Sequence, residues 1–448
     1  MTNSYNDVTR SASASAIPAQ GVAYPHPAQA WWAVAVFCFA LVIAFTDRLI
    51  LGALVDPIKQ SLDVSDSAIG LIQGAAFVVI YVLSGLVLGR LADRKRRLTI
   101  LVVGATMWSI GTVACGLVSS YWQLILARAV VGVGEAGLGP AAVSIVVDSF
   151  PPTRRGSATS IVFLGAYLGA PASIAIGGVM LSLANAGYFT AIPVIGILQP
   201  WRLVLVLVGL GGLTVPALFL TLREPPRQGG ARALPLGLMV KQLIADRRAL
   251  VPLYLAMGLM NVGDYGVFAW VPSALSRGFS LPPGKVGTIF GLITGIAGAL
   301  GCLVAGSLSD AAARRYGARG RLYFALAGAL AAALGAALIG SASVSLVLIG
   351  LSVWVLFSAI TNIGGIAALQ NLIPPAYSGI GIALLAFCNV LLGLGLGPVL
   401  VPMVTENIYG DPASVGLAIT TVVAPTAMVA ATLFLCANRA AKVRMQAV

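Results

Sequence analysis

Twelve times along the chain, an apolar run of roughly twenty residues or more gives way to a short polar or basic stretch. Coiled as a helix rising 1.5 Å per residue, each run crosses the ~30 Å hydrocarbon core of a bilayer. This constrains the fold more than any other feature. In lipid, every backbone N–H and C=O must be satisfied by a helix or a closed barrel. The runs are continuous and do not alternate, which excludes the barrel. The predicted spans are 30–53, 66–88, 98–118, 122–148, 157–183, 200–221, 250–275, 284–307, 321–341, 344–370, 376–404 and 412–437. Ser65 and Asp66 are N-cap candidates for the second. The fold class is therefore all-α and integral to the membrane.

Charge confirms the class and orients it. Of 448 residues, 59% are hydrophobic and 9% charged, too few charges to cover a soluble protein of this size. The net charge of +13 does not point to nucleic acid, because the bases sit in short loops between apolar runs. Arg90, Arg94, Lys95, Arg96 and Arg97 follow the second span, and Arg154 and Arg155 follow the fourth. Arg223, Arg227, Arg247 and Arg248 follow the sixth, Arg314, Arg315, Arg319 and Arg321 the eighth, and Arg439 and Lys442 the twelfth. All are even-numbered ends, so one side of the membrane carries them, and the positive-inside rule makes that side the cytoplasm. The loop after the tenth span carries no charge. The opposite side holds Asp56, Asp63, Asp66, Glu406 and Asp411. Both termini are expected in the cytoplasm.

The polar stretch 222–249 splits the chain into two sets of six spans, 30–221 and 250–437, with tails at 1–29 and 438–448. The first tail is rich in Ser, Ala and Pro without a basic start and apolar core, and reads as disordered and not as a signal peptide. The two sets repeat. GRLADRKRR after the second span and GSLSDAAARR after the eighth place Gly306 and Asp310 each 217 positions beyond Gly89 and Asp93. The same offset carries Asp47 onto Asp264, the one acid of the seventh span. This is a parallel repeat, which predicts two six-helix bundles related by a pseudo-two-fold axis.

Several ionisable residues interrupt the apolar spans: Asp47, Arg48, Arg128, Glu135 and Asp264, with Asp148 at the end of the fourth span. A charge at mid-helix costs about 2.5–3.5 kcal/mol on insertion scales, so each is expected to face protein or a water-filled cavity and to find a partner. Arg128 and Glu135 are seven residues apart and project from one helix face. Asp47 and Arg48 point ~100° apart, so a cross-helix pair of Asp47 with Arg128 is predicted. Against a purely structural network stands the weakness of buried ion pairs as stabilisers, and a carboxylate beside a movable arginine is a switch. Tyr81, Tyr167, Asn261, Tyr265, Asn362 and Asn389 interrupt the spans singly, either as interhelical hydrogen bonds or as cavity lining.

Other chemistries lack residues. His26 is the only histidine and lies before the first span, and the five cysteines lie in apolar segments without paired spacing. No metal centre, triad, disulfide or enzymatic activity is expected. There is no phosphate-binding loop, so no nucleotide and no cofactor is expected, and a proton gradient is the expected driving force.

GRLADRKRR resembles the loop signature G-x-L-[AG]-D-R-x-x-R-[RK] of the major facilitator superfamily at Gly89, Asp93, Arg94 and Arg97. Gly306 and Asp310 carry the weaker second copy, with Ala311 in place of the first Arg. RAVVGVGEA, residues 128–136, is similar to the family's fourth-helix pattern, and with Asp47–Arg48 and GLIQ at 70–73 it resembles the spinster-like branch. That resemblance implies a transporter of the bacterial inner (cytoplasmic) membrane, expected as a monomer, moving lysolipid- or sphingoid-like molecules with protons. It implies proton coupling at Asp47, Glu135 and Asp264. It also implies substrate contacts from Arg48 and Arg128, and a cytoplasmic gate from Gly89, Asp93, Arg94, Arg97, Asp148, Arg154, Gly306 and Asp310. In the fifth span GAYLGAPASIAIGG departs from the antiporter pattern, with Ala170 before Pro171, so the direction of transport stays open. A proton symporter for small organic or aromatic carboxylates is the second reading, and a non-transporting membrane protein the third.

Overall fold

A computed structural model describes residues 24–193, 196–227, 246–373 and 378–446, and among them there is no strand. The tail before residue 24, most of the linker and the side chain of Asp93 lie outside the described residues.

The first bundle comprises α1 (Pro27–Leu49), which runs on as a 3-10 turn through Ala53, and the short α2 (Val55–Leu62). Next come α3 (Asp66–Gln73), α4 (Ala75–Arg94), α5 (Arg97–Leu117), α6 (Tyr121–Glu135) and α7 (Leu138–Ser149). It closes with α8 (Pro152–Asn185), α9 (Pro200–Gly212) and α10 (Thr214–Phe219). The second bundle comprises α11 (Arg247–Phe279), α12 (Pro283–Tyr316), α13 (Gly320–Ile339) and α14 (Val344–Leu372). It ends with α15 (Ser378–Cys388), a π-helical turn (Asn389–Leu394), α16 (Gly395–Val404) and α17 (Val415–Gln446). Among the described residues, eleven helical stretches are long and apolar enough to cross a membrane. The twelfth, α11, is 33 residues long and carries Asn261 and Asp264.

Four predicted spans are broken, among them the sixth, at Leu213 between α9 and α10. The second divides at Gly74, the fourth at Ala136–Gly137 directly after Glu135, and the eleventh at the π turn that begins with Asn389. A Cβ on Gly74 would stand 2.9 Å from the Leu394 carbonyl oxygen, so only glycine lets these backbones meet. The predicted cap holds: Ser65 accepts from the Ala68 N–H at 3.1 Å. Pro402 has no N–H to give the Pro398 carbonyl, and the Trp270 indole donates to that oxygen instead, at 2.9 Å. One proline thereby ties α16 to α11.

Small residues set the helix spacing, as they must where lipid removes any hydrophobic drive between helices. Gly104 and Gly134 abut so closely that a Cβ on either would lie 2.6 Å from the other's carbonyl oxygen. Gly393 and Gly397, in the GLGLGP stretch, lie equally close to Asn261 and Val262 of α11.

The bundles meet at the acidic face and part toward the basic one. Gly52 sits on the Phe268 backbone, Gly70 on Pro398, and Gly178 on Pro283 and Gly287. At that face Arg277 of α11 donates to Asp56 at 2.6 Å and to Asp66 at 2.7 and 2.8 Å, and Ser67 donates to Glu406. Toward the basic face, Gly89 and Gly306 have nothing within 4 Å of where a Cβ would stand.

Among the described residues, Arg97 and Asp148 bond within the first bundle and its following segment, and Asp310 bonds within the second. Arg97 is 1% exposed and donates to Asp148, to Ser144 at 2.9 Å, to Glu224 at 3.0 Å and to the Pro225 carbonyl at 3.0 Å. Asp310 pairs with Arg321 at 2.9 Å. Partial burial raises the Glu224 carboxyl, but the Arg97 N–H and guanidinium outweigh that and hold it below the ordinary glutamate value. Arg227 closes the end of α4, donating to the Ala92 and Lys95 carbonyls at 2.7 and 2.6 Å. Arg94 and Arg154 are exposed on the same face.

Candidate functional site

Four ionisable side chains meet inside the first bundle. Asp47 and Arg48 stand in the last turn of α1, and Arg128 and Glu135 on one face of α6. Their exposures are 3%, 6%, 3% and 1%, so the quartet is closed off from solvent. Its formal charges cancel.

The expected cross-helix pair of Asp47 with Arg128 forms, at 4.0 Å, and a second, shorter pair stands beside it. Arg48, not Arg128, makes the short bond, donating to Glu135 Oε2 from Nη2 at 2.5 Å and from Nε at 3.0 Å. Arg128 approaches Asp47 Oδ1 only to 4.0 Å. It donates instead to the carbonyls of Asp47 and Arg48, at 3.4 and 3.2 Å. These carbonyls lie in the last turn of α1, before the 3-10 turn, and a cation is the favoured group beside a helix C-terminus. Asp47 Oδ2 accepts from the Thr112 hydroxyl of α5. Asp47 Oδ1, Arg128 Nε and Glu135 Oε1 are buried and have no hydrogen-bond partner among the described residues.

Aromatic rings wall the quartet. The Arg48 guanidinium lies 4.9 Å from the Phe45 and Tyr81 ring centres and 5.5 Å from that of Phe77. Arg128 lies 5.1 Å from Phe77, which stacks on Tyr81. These are cation–π distances, and they hold desolvated guanidiniums without a full counter-charge. Tyr265 of α11 reaches the Arg48 guanidinium from across the bundle seam.

The second bundle holds a different carboxylate. Asp264 accepts from the Ser358 hydroxyl at 2.6 and 2.8 Å, the Trp354 indole at 3.0 Å and the Asn362 amide at 3.3 Å. Asn261 donates to Asn362 at 3.2 Å, so it supports this cage without touching Asp264. Tyr167 of α8 is 49% exposed yet stands near Asp264 and Cys302, which puts it on the gap between bundles. Asn389 opens the π turn, its Oδ1 buried with no partner among the described residues.

The structure thus gathers Asp47, Arg48, Arg128, Glu135, Tyr81 and Tyr265 at one seam, and Asp264, Asn261, Asn362 and Tyr167 at a second. Sequence reasoning missed Thr112, Phe77, Ser358 and Trp354. Each lies alone in an apolar span, and the offset that pairs Asp47 with Asp264 was the available signal that α14 should mirror α6. It also missed Arg277 as the partner of Asp56 and Asp66, and Glu224 as the partner of Arg97.

Comparison with known proteins agrees with this architecture. The model of the Major Facilitator Superfamily matches residues 36–398. An MFS-type efflux pump of Mycolicibacterium smegmatis is 28% identical over 399 residues, covering 86% of each chain. Protein spinster homolog 1 of Homo sapiens is 30% identical over 290 residues, which are 60% of this chain and 52% of that longer one. A crystal structure of a bacterial homolog to the human lysosomal transporter Spinster, in an inward-facing and unoccupied conformation, superposes with a TM-score of 0.78 at 22% identity. That superposition covers 93% of this chain and 98% of the other. The chain is a multi-pass membrane protein of the transporter class and belongs to the major facilitator superfamily.

Proposed function

We infer that this transporter moves an amphiphilic molecule by alternating access, with a proton taken up and released at Asp47. The observation that carries the reading is the sealed quartet. Four charges removed from water stabilise a fold poorly, since apolar residues of the same volume do as well or better. Their retention points to a task that needs charge. Asp47 is the more weakly held carboxylate: Glu135 has Arg48 at 2.5 Å, whereas Asp47 has Arg128 at 4.0 Å and a neutral hydroxyl. A proton on Asp47 removes the charge that faces Arg128 and leaves that guanidinium anchored only by carbonyls and Phe77.

The outer lock of Arg277 on Asp56 and Asp66, against the unfilled space at Gly89 and Gly306, fits a state open toward the basic face. By the positive-inside rule that face is the cytoplasm. Closing it would bring α4 at Gly89 toward α15 and α12 at Gly306 toward α8 and break the lock, which is the rocking of one bundle on the other. The likeness to spinster proteins and to an efflux pump supports an amphiphilic cargo. The carboxylate-symporter reading is weaker, because Arg48 and Arg128 are sealed and the charged group on the gap is Asp264.

The test is substrate-driven proton flux in proteoliposomes with an internal pH dye, using a panel of lysolipids and aromatic carboxylates. Flux with a lysolipid supports the reading. Flux with a short aromatic carboxylate alone replaces it with the symporter.

A further inference from the structure

We propose that Asp264 and its cage form the subsite for a cationic group of the transported molecule, a primary or quaternary ammonium. Three observations lead there.

The first is charge balance. Asp47 and Glu135 are matched by Arg48 and Arg128, so Asp264 is the remaining formal charge among the described residues of the membrane interior. Among those residues no arginine or lysine lies within the 4.0 Å pairing distance of Asp264. Its side-chain partners are the neutral groups of Ser358, Trp354 and Asn362.

The second is the chemistry of those partners. An indole N–H only donates, and the Asn362 amide presents its NH₂. Both bond an ionised carboxylate and have nothing to accept from an acid proton. With the one Ser358 hydroxyl proton shared between its two oxygens, the carboxylate takes donors from three side chains, and the cage favours the anion while leaving its charge unneutralised. An anion so placed attracts a cation.

The third is access. The Asp47 quartet is closed off, whereas Asp264, Asn261, Asn362 and Tyr265 keep partial exposure and Tyr167 is half exposed. A ligand in the gap therefore meets Asp264 before any arginine. Tyr167 and Tyr265 set aromatic rings near it, and an ammonium gains both a charge-assisted bond and cation–π contact in such a place.

The inference rests on the transport reading only for the steps after binding, and it is tested at equilibrium without a gradient. The wild-type protein in nanodiscs is titrated with octylammonium, octanol and octanoate, which share one chain and differ in the head. Binding is measured by the shift in melting temperature, with empty discs as the blank. Wild type is expected to bind octylammonium about tenfold more tightly than octanol, and octanoate least. Asp264→Asn should erase that preference and leave octanol binding as it was. Ser358→Ala keeps the carboxylate and should keep the preference. Equal binding of the three probes by wild type, or an ammonium preference that survives Asp264→Asn, overturns the proposal. If Asp264→Asn does not fold, the wild-type order decides with Asp264→Glu, which should retain the preference. Failure of the proton-flux assay leaves this result standing, and failure here leaves proton coupling at Asp47 standing.

Discussion

Arg48 donates to Glu135 at 2.5 Å, while Asp47, its neighbour in the chain, faces Arg128 at 4.0 Å. Two residues adjacent in one helix turn thus take partners of opposite charge on a second helix, one tightly and one loosely. The tight pair holds α1 to α6, and the loose pair contains the carboxylate to which the proposed function assigns the proton.

Removing one member of the tight pair should be worse than removing both. Glu135→Gln leaves Arg48 buried without its counter-charge, and a loss of about 3–5 kcal/mol is expected. Arg48→Met with Glu135→Gln should recover most of it. Thermal unfolding of the purified variants in one detergent checks the order.

The lock at the acidic face should set the balance between states. Ile174 is buried at that seam beside Gly52 and Gly287. A chain freed of its cysteines and carrying Ile174→Cys should react slowly with a membrane-impermeant thiol reagent. Adding Arg277→Ala should speed labelling about tenfold, the shift produced by ~1.4 kcal/mol.

Gly89 and Gly104 should behave in opposite ways. A Cβ on Gly104 meets the Gly134 backbone at 2.6 Å, so Gly104→Ala should destabilise the protein by about 1–3 kcal/mol. Gly89 meets nothing within 4 Å, so Gly89→Leu should melt like wild type. It should nevertheless lose transport, because the side chain fills the seam that must close. Paired melting and flux measurements separate the two.

The Arg97–Glu224 contact should give stability a pH signature. Glu224 is held below the unfolded glutamate value of about 4.3, so its contribution is complete above that value and is lost as pH falls through the lower folded value. Between about pH 6 and pH 3, the melting temperatures of wild type and Glu224→Gln should converge.

Much of this architecture could be read from the residues. The apolar runs gave the helices, and the offset of 217 positions that carries Asp47 onto Asp264 gave the two bundles. Seven-residue spacing put Arg128 and Glu135 on one face correctly. The pairing of Asp47 with Arg128 was legible and stands at 4.0 Å, whereas the shorter bond of Arg48 to Glu135 was not, because it depends on side-chain reach between α1 and α6. The breaks at Gly74 and after Glu135 were hidden for a related reason: apolar residues continue on both sides, and only tertiary contact interrupts the helix. Arg97 and Asp148 could be placed at the basic face from the motif, but their bond to each other could not, since a motif records spacing and not partners.

The most direct test of the account is proton flux with Asp47→Asn against wild type, in proteoliposomes carrying a pH dye and a lysolipid that drives flux in wild type. The account predicts that the variant folds, still binds the lipid and moves no protons. Proton flux at the wild-type rate from Asp47→Asn would contradict it and leave Asp47 a structural residue of the first bundle.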